Sequence, residues 1–333
     1  MKAQTIKRPS IPVEFYDPSS IGTISFIVYA LTLFILPATL CRIVATEIEF
    51  IPLRFGLIIP LTIISGYGLQ LMGFVGHEGF HLSLHRNKLV SALLGLFCAS
   101  SVVTYFEIGF AMQHWNHHRF TNQASDVDVR QVEHLKTWWQ RILFSRAIYN
   151  IHYFKMALKT ALGYPLPFAY QMPFKPFTVR LLCYANFGFA LFWIGIYVGV
   201  IWWDPLTGVF SLALPMLVAL LISGCQTYLD HAGTSSDLFC NAWSRTSPLM
   251  TILYFGANYH LEHHLYPGVP CYRLYKVHQL LKESGVFEKV KSPIQTSFFG
   301  AYRNLCSEYN SGKKDSGFDP FKPAIDSDIS KIK

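Results

Sequence analysis

Two stretches of this chain repeat one spacing of histidines: His114, His117 and His118 in His-Trp-Asn-His-His, and His260, His263 and His264 in the run from Asn258 to Pro270. On a helix, positions i, i+3 and i+4 share a face, so three imidazoles from each stretch can converge on one point. A neutral imidazole offers a nitrogen lone pair that suits Fe, Zn, Cu or Ni and matches Mg or Ca poorly. His77 and His81 add an i, i+4 pair in His-Glu-Gly-Phe-His. His85 continues that series, but one more turn carries it about 6 Å along the axis, which favours a surface or hydrogen-bonding role. A single cluster could be three unrelated surface histidines; its recurrence makes coincidence a poor account. Taken alone, His77-Glu78-x-x-His81 also matches the zinc-protease signature, with two histidines on the metal and the glutamate as general base. That reading leaves at least six clustered histidines without work.

The surroundings of these clusters are apolar. Of 333 residues, 51% are hydrophobic and 14% charged, against roughly a quarter charged in a soluble domain. The expected class is an all-α polytopic membrane protein. Its transmembrane helices are four charge-free runs at about 21–41, 55–75, 181–203 and 205–229, each near the roughly 20 residues that a spanning helix needs. Trp202, Trp203 and Tyr228 at their ends read as interface anchors. Residues 1–20 are polar and hold prolines, unlike a cleaved signal peptide.

A fifth apolar run, 89–106, is read as a re-entrant or interfacial segment. A crossing there would put His77 and His81 on the opposite side of the bilayer from His114, His117 and His118. Lys and Arg agree with four spans. Lys2, Lys7 and Arg8 precede the first, and residues 76–180 and 230–333 are rich in both types, whereas Arg42 and Arg54 are the only two in the remaining loops. By the positive-inside rule both termini and every histidine cluster face the cytoplasm, forming a helical cap. The net charge of +8 suits anionic headgroups and calls for no nucleic acid. Seven scattered cysteines without a Cys-x-x-Cys pair indicate reduced thiols. One membrane domain is expected over 1–306 and a polar, loosely ordered tail over 307–333. Residues 133–161, basic and aromatic, read as an amphipathic surface helix, with His134 and His152 structural or solvated.

His231 stands alone, just past the fourth span, as His77 stands past the second. With it, nine histidines can meet: His77, His81, His114, His117, His118, His231, His260, His263 and His264. One metal cannot use nine nitrogens, and two can. A catalytic zinc centre takes three protein ligands and a water, so two irons with open positions for O2 are the better match. Such a centre attacks unactivated C–H bonds, and beside membrane spans its substrate would be a lipid whose aliphatic chain enters between helices. Asp126 and Asp128 are candidates to accept hydrogen bonds from the far nitrogens of the imidazoles, with Glu78, Asp230, Asn258 and Glu262 as further candidates.

From Gly76 to about Leu281 the sequence resembles the membrane fatty acid desaturase superfamily, which includes lipid hydroxylases and carotenoid ketolases and hydroxylases. The three boxes His-x-x-x-His, His-x-x-His-His and His-x-x-His-His carry the resemblance, most specifically the run from Asn258 to Pro267. It implies a four-span helical fold with cytoplasmic histidines on two irons, and an isolated ligand such as His231. It also implies electrons from ferredoxin or cytochrome b5 through a reductase. The His-Pro-Gly-Gly motif of fused cytochrome b5 domains is missing, so a separate donor is expected. Front-end desaturases of this family have glutamine where His260 stands, which disfavours that subgroup. The chemistry expected is desaturation of a fatty acyl chain carried on a lipid, coenzyme A or acyl carrier protein, with hydroxylation or ketolation by the same centre as the alternative. A metal-free transporter or structural membrane protein is the weaker third reading.

Overall fold

The computed structural model describes residues 8–165, 172–297, 299–309 and 315–322. Lys2, Lys7 and most of the tail expected over 307–333 lie outside these residues. The described chain is mostly helical: α1 (Ser20–Glu47), α2 (Ile51–Phe80), α3 (Lys88–Ala99), α4 (Glu107–Phe120), α5 (Val127–Val132), α6 (Trp138–Ala161), α7 (Pro176–Trp203), α8 (Pro205–His231), α9 (Pro248–Leu253), α10 (His260–Leu265), α11 (Leu274–Glu283) and α12 (Val286–Val290). Two two-residue strands, β1 (Ser244–Arg245) and β2 (Ile294–Gln295), pair in parallel with Ser244 opposite Ile294.

Helix ends follow local chemistry. Ser19 accepts a hydrogen bond from Gly22 N at the start of α1, Asn87 from Leu89 N and Val90 N at the start of α3, and Asp204 from Leu206 N at the start of α8. Each side chain thus satisfies amides that the first turn leaves open. Among the described residues, α1, α2, α7 and α8 are long and apolar enough to cross a bilayer. Their outward side chains include Ile24, Val28, Ile35, Ile59, Ile63, Leu191, Val198 and Leu217, all exposed, as a lipid-facing surface requires. The 30 residues of α2 span about 45 Å against a hydrocarbon core of about 30 Å. If 55–75 fills the core, as its sequence predicts, the last turn of α2, with His77, continues beyond it.

The structure forms two compact units. One, built from residues 19–113 and 138–226, contains α1, α2, α3, α6, α7, and most of α8. Phe34, Leu69, Val102, Tyr105 and Ala219 form a buried core in it, joining three spans to the stretch that follows α3. The short α3 accounts for the ambiguous fifth apolar run: its 12 residues reach only about 18 Å, too little to cross. The carbonyls near and beyond its end are satisfied by side chains of α7, with Trp193 Nε1 donating to Phe97 O at 2.9 Å and Tyr197 OH to Ser101 O at 2.6 Å. Asn186, wholly buried, donates to Ser100 Oγ at 3.0 Å and accepts from Ile108 N at 3.2 Å. Irregular backbone is thus buried against protein, the condition under which it is tolerated at membrane depth. Helices α2 and α3 approach through Gly79 and Gly95; a Cβ on Gly79 would stand 2.7 Å from Gly95 Cα.

The other unit comprises the described residues up to Pro18, His114–Thr137 and those from Thr227 onward. Both ends of the described chain brace its histidine-bearing helices. Arg8 donates to Leu265 O at 2.5 Å and to Pro320 O at 2.6 Å, and Tyr266 OH donates to Pro9 O at 2.7 Å. On the other side, Phe321 stacks on Trp115 at 3.9 Å and Asp319 pairs with Arg119 at 3.2 Å.

Candidate metal centre

Helix α4 presents His114, His117 and His118 and the six-residue α10 presents His260, His263 and His264, all buried. Helix α8 ends on His231, also buried. In this unit the ring nitrogens of His117, His231 and His264 lie within 4.8 Å of one another. His117 Nε2 is 3.2 Å from His231 Nε2, which is 3.1 Å from His260 Nε2, itself 3.1 Å from His264 Nε2. The lone histidine past the fourth span therefore joins the two boxes at their point of convergence.

The opposite ring edges decide which nitrogens carry protons. His231 Nδ1 lies 2.9 Å from the carbonyl of Asn241, which can only accept, so Nδ1 bears the proton and Nε2 the lone pair. His117 Nδ1 lies 2.9 and 3.0 Å from the two oxygens of Asp126, with the same consequence. Thr121 gives its hydroxyl proton to His117 O at 2.7 Å, so its oxygen is left to accept from His264 Nδ1 at 3.0 Å. With the rings neutral, three Nε2 lone pairs thus converge, an arrangement that repels unless a cation, a metal ion or a proton, joins it. Donors held at right angles roughly 2.1 Å from one metal would stand about 3.0 Å apart, close to the spacings found. An all-imidazole set backed by carboxylates fits a late first-row transition metal.

Electrostatics point the same way. Burial, together with neighbouring His260, His231, His117 and His263, holds the His264 pKa well below the ordinary imidazole range. For His117 burial acts in the same direction. The charge and hydrogen bond of Asp126, with Asp128 and Asp230 beyond, overcome it and raise the pKa. Asp126 thus favours positive charge on His117, from a proton or from a metal.

A second set in the same unit comprises His114, His118 and His263, whose ligand atoms also lie within 4.8 Å of each other. His114 Nε2 and His118 Nε2 are 3.0 Å apart, and the His263 ring stands 4.8 Å from that of His118. Asp128 lies 3.7 Å from His114 Nδ1. In the other unit His77 and His81, both buried, close α2 with rings 4.5 Å apart. Glu78 is 3.2 Å from His77 Nδ1 and accepts from Ser83 Oγ at 2.8 Å, an orienting arrangement rather than the poise of a general base.

Of the other carboxylates and amides singled out, Asp230 pairs with Arg245 at 2.8 Å and stands 3.9 Å from His260 Nε2. Asn258 donates to Arg245 O and to Thr251 Oγ1, bracing the entry to α10. Glu262 faces Ser244 and His278, the latter at 2.6 Å. His85 is exposed and accepts from Asn87 N, and His134 is exposed. Sequence reasoning missed Thr121, Asn241 and His278. Thr121 could have been found, because it lies one turn after His117. The carbonyl of Asn241 could not, since every residue has one. Asn122, at φ 55°, donates to Thr234 Oγ1 and to the Ser235 and Asn241 carbonyls, fixing the loop that supplies that carbonyl.

Comparison with known proteins follows the same line. The family model described as "Fatty acid desaturase" matches residues 55–297. A curated relative, "Delta(5) fatty acid desaturase fat-4" of Caenorhabditis elegans, is 25% identical over a 280-residue alignment covering 74% of this chain and 62% of the relative. The chain therefore spans less than two thirds of that relative's length.

Proposed function

Because the chain belongs to the fatty acid desaturase family, we propose that it introduces a double bond into a fatty acyl chain, using O2 and a pair of irons held by histidine. The observation that carries the proposal is the convergence of the His117, His231 and His264 Nε2 lone pairs, each turned inward by a protein partner on Nδ1. His260 would share that iron, and His114, His118 and His263 would serve the second. His77 and His81 are assigned as further ligands on their spacing and on the family. Iron so bound would supply the O2 chemistry needed to take hydrogen from an unactivated aliphatic carbon.

The chain's own part is orientation and exclusion of water. Asp126, Thr121 and the Asn241 carbonyl hold three rings in one tautomer and at fixed angles, so the ligands need not reorganise. All nine histidines are buried, which limits side reactions with water. The substrate would be a lipid with an aliphatic chain, and electrons would arrive from ferredoxin or cytochrome b5 through a reductase. We place both termini and the histidines on the cytoplasmic side, from the distribution of Lys and Arg. His260, where front-end members have glutamine, supports a place outside that subgroup.

The test is expression with lipid profiling by mass spectrometry, alongside metal analysis of protein purified without added metal. Two irons per chain and a new double bond are expected. A hydroxylated or ketonised lipid would move the reading to the sister chemistry, and one zinc without oxygen-dependent activity would overturn it. His231→Ala should lose iron and turnover as severely as His263→Ala; full metal content in that variant would return His231 to a structural role.

A further inference from the structure

An open groove of about 440 Å³ lies between the end of α6 and the start of α7, with Thr160, Tyr164 and Phe177 on its walls and Arg180 at its side. That volume is within the range of small-ligand sites, roughly 300–1,000 Å³. Arg180 is anchored by one donor, Nε to Ala161 O at 2.9 Å. This bond lays the guanidinium across Gly163, where a Cβ would come within 3.3 Å of Nη1. Gly163 has φ +86°, which L side chains rarely adopt, so the seat of the guanidinium is kept bare. No ion pair engages Arg180 among the described residues, and the residue is exposed. Its remaining donors form a planar fork of the kind that binds phosphate in bidentate fashion.

Depth and charge indicate what occupies the groove. If the apolar run 181–203 fills the roughly 30 Å core, Arg180 sits at the level of the headgroups. Exposed Tyr164 and Phe177 beside it have the character of interface aromatics. Between Glu133 and Asp204 there is no Asp or Glu, while seven Lys or Arg occur, and Lys155, Lys159 and Lys175 near the groove are exposed. The amino end of the α7 dipole adds to the attraction for an anion. We infer that this groove binds an anionic membrane phospholipid, its phosphate on the Arg180 guanidinium and its glycerol and first methylenes against Tyr164 and Phe177. The site is independent of the metal chemistry proposed above. A simpler role, Arg180 merely capping α6, would use the Nε bond alone and show no lipid selectivity.

The experiment reconstitutes the full chain in phosphatidylcholine vesicles with a trace of spin-labelled phosphatidylglycerol or spin-labelled phosphatidylcholine, and reads the motionally restricted fraction. Wild type should restrict the glycerol lipid several-fold more than the choline lipid. Arg180→Gln and Phe177→Glu should each remove most of that excess. Phe177→Glu leaves the Arg180 to Ala161 bond intact and puts an acid where a helix start favours one, so it decides the matter if Arg180→Gln fails to fold. Lys276→Gln, the loss of one positive charge on exposed α11, should keep the excess. Equal restriction of the two lipids, an excess that survives Phe177→Glu, or an equal loss in Lys276→Gln overturns the site. Displacement by soluble glycerol phosphate overturns its assignment to a membrane lipid.

Discussion

Asp126→Asn separates the electrostatic from the steric part of the support under His117. The carboxylate is wholly buried and sits 2.9 and 3.0 Å from His117 Nδ1; it also accepts from Asn122 N at 2.8 Å and, weakly, from Val129 N at 3.4 Å. Asparagine has the same shape. With its oxygen in the place of Oδ2 it keeps the bonds from Asn122 N at 2.8 Å and His117 Nδ1 at 2.9 Å. Its amide nitrogen replaces the oxygen that stands 3.0 Å from His117 Nδ1 and 3.4 Å from Val129 N and accepts from neither, so the fold should survive with one short bond from each of Asn122 and His117. What disappears is a full negative charge beside the imidazole. A hydrogen bond to a charged group contributes about 1.5–3 kcal/mol against about 0.5–1.5 for a neutral one. A loss of about 1–2 kcal/mol corresponds to roughly 10-fold weaker metal binding, at the lower end of the roughly 10–100-fold seen when such outer partners are removed. Competition with a chelator of known affinity, read as metal retained per chain, measures it, with helix content by circular dichroism as the check on folding. A folded Asp126→Asn protein that holds metal as tightly as wild type would refute the role assigned to this carboxylate.

Glu107, at the start of α4, is buried, and burial pushes its carboxyl up to about 8 although nearby Arg146 acts against this. It is therefore protonated in the fold at neutral pH, and stability should decline as pH rises from about 4.3, the unfolded value, to about 8. Glu107→Gln should raise the unfolding temperature relative to wild type at pH 8 and leave it unchanged at pH 4; equal shifts at both would contradict the assignment. Gly109→Ala should destabilise the protein by roughly 1–3 kcal/mol, because the new Cβ would stand 2.1 Å from the Tyr153 carbonyl, backbone that cannot turn aside. Thermal unfolding in detergent tests it, and a neutral result would show that α4 and α6 part easily there. Cysteines placed at Lys88 and Arg119, in a background without native cysteines, should both react with an impermeant reagent from the cytoplasmic side only. Labelling from opposite sides would break the assignment of His77 and His114 to one face of the membrane.

Much of this protein was legible in the sequence, because the governing signals are local. Spans announce themselves as apolar runs long enough to cross, and α1, α2, α7 and α8 fall on the four that were expected. The two His-x-x-His-His boxes declare a shared helical face through spacing alone. Burial of the run after α3 was anticipated from the need to keep two clusters on one side, but its means was not. Asn186, Trp193 and Tyr197 lie 86 to 96 residues away along the chain from the groups they bind, and nothing in their spacing points to it. The same holds at the metal centre. His231 could be suspected from its place past a span; that its Nε2 comes within 3.2 Å of both His117 and His260 Nε2 is decided by tertiary packing. So is the choice of partners for the far nitrogens, where Glu262, a candidate by its place beside His263, turns instead to His278 and Ser244. Periodicity records which residues share a face of one element. The meeting of faces from different elements, and the backbone carbonyls that orient a ring there, leave no mark on residue type, so only the folded chain determines them.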